Sequence, residues 1–104
     1  MAVVDGTYWL AYSANWWNQA AYGVGLARCE SVAGPCTKPW DHPVLASSPG
    51  RFGPGGAEFF RGGAGELLVA YHAWLDEPGY PGHRALHLAP VDLAADPPVL
   101  ADDG

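Results

Sequence analysis

Few side chains of this 104-residue sequence combine the type and the spacing that chemistry requires. Acid–base work by carboxylates needs two of them in different environments, one keeping its proton while the other is ionised. Glu58, between Ala57 and Phe59 in a strand-like stretch, is the weak catalytic candidate. Asp76, Glu77, Asp102 and Asp103 fall in loop-like or terminal sequence, where a carboxylate is simply solvated. His72, mid-strand between Tyr71 and Ala73, reads as a hydrogen-bonded core imidazole ahead of a ligand or proton donor. His83 and His87 flank Arg84 with no second metal ligand at useful spacing, so they are assigned no role.

Two further features have chemical content. Trp16 and Trp17 sit in an Asn-rich loop, and an indole is a good platform for the apolar face of a sugar ring; the alternative is that one of them caps a hydrophobic rim. Cys29 and Cys36 bracket the turn 30–35. Paired, they would close a short loop whose chain-entropy value is about 2.5 kcal/mol; in a reducing compartment they would be two free thiols. Neither belongs to a Cys-x-x-Cys pair, which argues against zinc.

The elements that must carry these residues come in two matching sets. Residues 7–14 are answered by 67–73, Gly25-Leu26-Ala27 by His87-Leu88-Ala89, and Pro43-Val44-Leu45-Ala46 by Pro98-Val99-Leu100-Ala101. The offsets are 71 − 12 = 59, 88 − 26 = 62 and 98 − 43 = 55. A repeat of roughly 50 residues with about four short strands is the pattern of a β-propeller blade, which cannot bury both of its faces alone. The expected fold is therefore all-β, about two four-stranded antiparallel blades at 1–50 and 51–104 of an incomplete ring.

Along the chain, Ala2-Val3-Val4 ends a strand, Asp5-Gly6 turns a hairpin, and Tyr8, Leu10 and Tyr12 alternate with Trp9, Ala11 and Ser13. In 22–29 one face is Val24/Leu26, and the other, Gly23/Gly25/Ala27, is small enough for a second sheet to approach closely. The 43–46 segment, carrying Pro, is expected as a rim strand and 47–56 as a connection. An inner strand then occupies 57–61, a hairpin 62–65, a second strand 66–75, a third 84–93 and a rim strand 98–101.

Composition narrows the partners. An apolar fraction of 49% excludes a disordered polymer, while 14 Gly and 10 Pro interrupt the chain too often for long helices. Eleven acidic against five basic residues give a net charge of −6 with no basic cluster, so a nucleic-acid backbone would be repelled. No apolar run approaches the roughly 18 residues of a membrane helix, and residues 1–104 contain no signal-peptide pattern.

Five segments in register with the repeat add a family resemblance. These are Tyr8-Trp9-Leu10-Ala11-Tyr12-Ser13-Ala14-Asn15, Tyr22-Gly23-Val24-Gly25-Leu26-Ala27, Gly34-Pro35-Cys36-Thr37-Lys38-Pro39, Gly53-Pro54-Gly55-Gly56 and Ala70-Tyr71-His72-Ala73-Trp74. In order, they resemble the later blades of glycoside hydrolase family 43, five-bladed propellers that include arabinanases, arabinofuranosidases and xylosidases. The resemblance implies an inverting mechanism with a general base, a general acid and a third carboxylate that tunes the acid. It places all three ahead of Met1, implies a secreted parent, and implies that the chain alone is inactive. Glu58 would then lie near the central channel, or else in an interblade contact or a solvated strand end.

The same resemblance puts Arg84 where the family carries an Arg facing a sugar; the alternative is a strand-end Arg paired with Asp76 or Glu77. It also implies a His at the position of Gly56, supporting a metal ion such as calcium, and that residue is missing here. No cofactor is therefore expected. The expected partners are an arabinoside or xyloside and either the remaining blades or copies of the chain itself. The competing class is a non-enzymatic module that binds carbohydrate or assembles from β repeats.

Overall fold

The computed structural model describes residues 1–16, 19–76, 78, 82–95 and 98–100. Among them there are eight strands and no helix. β1 (Ala2–Val4), β2 (Thr7–Ala14), β3 (Gly23–Cys29) and β4 (Cys36–Thr37) form one antiparallel sheet in the order β1-β2-β3-β4. β5 (Phe52–Arg61), β6 (Leu67–Trp74), β7 (Arg84–Asp92) and β8 (Val99–Leu100) form the second in the same sequential order.

Turn chemistry sets the hairpins. Asp5 and Gly6 adopt φ of 50° and 80°, the left-handed pair that a two-residue connection between twisted strands requires. The second inner hairpin closes through Gly62 N–H to Glu66 O and Gly65 N–H to Gly62 O. Both turns stand where the sequence placed them.

The two sheets share one register. Leu10 pairs with Ala27, Tyr12 with Gly25 and Ser13 with Val24. Adding 59 to the first residue and 62 to the second gives Val69 with Ala89, Tyr71 with His87 and His72 with Leu86, all of which pair in the second sheet. Repetition therefore extends from residue types to the hydrogen-bond ladder.

Alternation along the strands decides what faces what. Trp9, Val24 and Leu26 of the first sheet join Val69, Tyr71, Ala73 and Ala89 of the second in a single buried cluster, with Leu45 and Leu100 closing it. β5 lies against both β2 and β3. The small-residue face of β3 does not receive another sheet as expected. Instead the Tyr12 ring, on the neighbouring strand, occupies the space a Cβ on Gly25 would need, and Pro43 packs closely over Gly23.

Two strand expectations need correction. The rim strand of the first sheet is Cys36–Thr37, paired with Arg28 and Cys29, whereas Leu45 makes only an isolated bridge to Val24. The offset of 55 consequently matches residue types without matching partners, because Leu100 pairs with Val91, the counterpart of Cys29 rather than of Val24. In the second sheet, the inner strand starts at Phe52 and takes in the Gly53–Gly56 stretch through two register irregularities. Glycines with φ of 55° and 65° at positions 53 and 56 supply the bends that a regular strand would not allow.

Cys29 and Cys36 are directly opposed in register and form a disulfide with an S–S distance of 2.07 Å. Pairing across the two-residue β4 ties the rim to β3 where the ladder is too short to hold by itself. Replacing both by Ser should cost about 2.5 kcal/mol, read as a lower midpoint in chemical denaturation. A reducing agent should shift the parent to the same midpoint and leave the double variant unmoved.

Candidate functional site

Arg84 opens β7 opposite Trp74, and His72 lies two residues back along β6, the diagonal position across an antiparallel pair. Arg84 Nε–H donates to His72 Nδ1 at 2.7 Å. Its Nη2 donates to the carbonyls of His72 at 2.7 Å and Gly53 at 2.9 Å. The guanidinium carbon also stands 5.4 Å from the Trp74 ring centre and 5.7 Å from that of Tyr22. At least three of its five N–H groups are thus spent within the protein, so the side chain has one fixed orientation.

Both halves of the chain build this cluster. Tyr22, just ahead of β3, lays its ring where a Cβ on Gly55 would stand. Ser13 Oγ accepts from Gly56 N–H at 2.9 Å, joining the end of β2 to the start of β5. Ser47 donates to the carbonyl of Ala20 at 2.6 Å and accepts from Gly53 N–H at 2.8 Å. The backbone of residues 53–56 is held from both sides.

Because His72 Nδ1 accepts the Arg84 bond, its ring proton belongs on Nε2 in the neutral form. Burial, and then the positive charge of Arg84, hold the His72 pKa below its ordinary value. Burial likewise lowers Arg84, partly opposed by Tyr22. His72 is therefore hydrogen-bonded as expected, but it is an exposed member of its cluster and not part of the core.

The remaining assignments fall elsewhere. Glu58 is exposed on β5 and pairs with Ala70, on the face of the second sheet turned away from the first. Trp16 is 70% exposed beside the loop that Asn15 closes by donating to the carbonyl of Ala21 at 2.9 Å. His87 stacks on Tyr71 at 5.0 Å, and His83 accepts at its carbonyl from Leu75 N–H. Trp17, Glu77, Asp102 and Asp103 lie outside the described residues. The structure brings together Arg84 and His72, and leaves Glu58 and Trp16 apart from their clasp.

Sequence reading missed that clasp, together with the contributions of Tyr22 and Trp74. The signal available was the β6–β7 hairpin, whose register sets Arg84 opposite Trp74 and diagonal to His72.

A metal in this region finds little support. A Cβ on Gly56 would lie 2.4 Å from His72 Nε2, and the residue has a φ of 65°, so an imidazole could not be placed there without moving His72. His72 in turn commits Nδ1 to a cation. Among the described residues, no group of three or more His, Cys, Asp or Glu side chains stands together as a cation site. These residues do not fit calcium.

No protein-family model and no curated protein sequence matches the chain. Solved structures do: a thermostable family-43 glycoside hydrolase has 32% sequence identity across 86% of this chain, with a TM-score of 0.76. The chain matches part of a family 43 glycoside hydrolase. An endo-1,4-beta-xylanase from Bacteroides thetaiotaomicron gives the same TM-score at 29% identity across 94% of the chain. The match spans 30% and 34% of those two proteins, so this family 43-like segment corresponds to about a third of either.

The His72–Arg84 bond gives the segment a pH dependence of defined sign. Protonating Nδ1 removes the acceptor and sets a second positive charge beside the guanidinium. Since the folded-state pKa is depressed, this contribution to stability is complete above the unfolded value of about 6.5 and declines as pH falls below it. NMR titration of the imidazole should place His72 below that value, and the parent should lose more thermal stability than His72→Asn between about pH 7.5 and 5.5. Titration at or above the ordinary value would contradict the Nδ1 acceptor.

Proposed function

We propose that the chain supplies one wall of the sugar-binding cavity of a family 43-type glycoside hydrolase acting on arabinose- or xylose-containing polysaccharide. The Arg84 clasp is the observation that supports this reading. A guanidinium fixed in one orientation by His72 Nδ1 and two backbone carbonyls is a preorganised planar cation, the kind of group that recognises adjacent hydroxyls. The similarity to an endo-1,4-beta-xylanase suits a substrate of that class.

On this reading the chain binds and orients but does not cleave. Glycoside hydrolysis uses two carboxylates flanking the scissile bond, and inversion keeps them roughly 6.5–9.5 Å apart so that water fits between. Glu58 is exposed in mid-strand opposite Ala70, and the resemblance assigns the three carboxylates to other blades. The acid–base step belongs to blades other than these two.

Trp16 supports a second reading, a carbohydrate-binding module without catalysis, because its indole is open to solvent. Titration with xylo- and arabino-oligosaccharides separates the two. If Arg84 faces the sugar, Arg84→Ala should weaken binding roughly ten- to a hundredfold, the usual range for a hydrogen bond to a charged group, while Trp16→Ala has little effect. The reverse ranking favours the module. Neither aryl arabinofuranosides nor aryl xylosides should be turned over, and turnover abolished by Glu58→Gln would overturn the assignment of catalysis to other blades.

A further inference from the structure

Arg84 makes two hydrogen bonds to His72, its neighbour across the β6–β7 hairpin, and a third to the carbonyl of Gly53 at the start of β5. Gly53 falls in the irregularity between the Phe52–Trp74 and Gly55–His72 pairs, so no ladder pair lies on it. Its φ is 55°, and a Cβ there would stand 2.6 Å from the carbonyl oxygen of Gln19, which restricts the position to glycine. Glycine has the widest choice of backbone angles. The direction of the Gly53 carbonyl therefore depends on what holds the other end of the residue.

Ser47 holds it. The Gly53 N–H donates to Ser47 Oγ at 2.8 Å, and the hydroxyl spends its own proton on the carbonyl of Ala20 at 2.6 Å. An N–H only donates and a carbonyl only accepts, so this hydroxyl has one orientation. Reciprocal bonds of 2.8 Å between Ser48 and Arg51 fold the chain directly after Ser47 and bring it back to Gly53. Ala20 belongs to the turn that Tyr22 N–H closes on the carbonyl of Gln19 at 3.1 Å, and the Tyr22 ring stands 5.7 Å from the Arg84 guanidinium carbon. One hydroxyl thus fastens two of the contacts that Arg84 makes beyond its own hairpin, the Gly53 carbonyl and the Tyr22 ring.

We infer that Ser47 is a positioning residue: through Gly53 and the 19–22 turn it sets the orientation in which the Arg84 guanidinium meets a ligand. Its effect on sugar binding rests on the role proposed above for Arg84. Its effect on the orientation of Arg84 does not.

NMR of the Arg84 Nε–H group tests the orientation directly. In Ser47→Ala, with circular dichroism confirming the fold, exchange of that proton with solvent should quicken about fivefold, as one hydrogen bond is lost from the chain of contacts. Ser47→Thr keeps the hydroxyl and should restore the parent rate. Ser31→Ala removes a hydroxyl bond of 2.7 Å to the Gly34 carbonyl, in the turn ahead of β4, and should leave the rate unchanged. Should Ser47→Ala fail to fold, Ser47→Cys, with a weaker donor and acceptor, takes its place. Parent-like exchange in the Ser47 variant would overturn the inference, as would an equal rise in Ser31→Ala, which would report general loosening. Xylo- and arabino-oligosaccharides should bind about fivefold more weakly to Ser47→Ala, with no further loss when Arg84→Ala is combined with it. Additive losses would show Ser47 acting without Arg84 and count against its positioning role. If Arg84→Ala by itself leaves binding unchanged, the sugar-binding reading fails, and the exchange rates still decide what Ser47 does.

Discussion

A sheet that is apolar on both faces must be stacked, and in this chain the stacking occurs once, where Val24, Leu26 and Trp9 meet Val69, Tyr71 and Ala73. Full burial of one such side chain stabilises by about 1.5–3 kcal/mol, whereas a typical hydrogen bond contributes about 1 kcal/mol net. The handful of residues between the sheets therefore outweighs any single polar contact. Everything that spans the two halves, including Ser13 to Gly56, depends on that layer being closed.

The Arg84 cluster shows what the layer makes possible. Its groups come from the start of β5, the end of β6, the start of β7 and the residue preceding β3, and they meet only when the sheets are in contact. A guanidinium beside a neutral imidazole is a pairing that partial burial disfavours, so both groups have lowered pKa values. Fixing the guanidinium through two backbone carbonyls and two aromatic faces offsets that cost and gives it one orientation.

Much of the architecture could be read from residue types alone. Alternation set Trp9 apart from Tyr8 and Leu10 and grouped Val24 with Leu26, Asp5-Gly6 marked a hairpin turn, and the repeat announced two four-stranded sheets. The resemblance to family 43 found its counterpart in the matched structure. The errors cluster where several partners are available. The 43–46 segment has strand-like residues, but the disulfide draws Cys36–Thr37 into the ladder beside Cys29, and Leu45 is left with a single bridge. Glycines at 53–56 suggested a connection, yet they form the bent beginning of β5 because Ser13, Ser47 and Tyr22 hold their backbone in place.

Hairpin positions, most strands and the alternation of side chains along them were determined by the sequence itself, because turn conformations and two-residue periodicity are local properties of the chain. The tertiary structure alone decided that His72 is the acceptor for Arg84, that Tyr12 rather than another sheet covers Gly25, and that Gly56 has no room for a side chain. Each of these is settled by which distant group occupies a shared volume, and excluded volume between strands far apart in sequence has no periodic trace in the order of the residues.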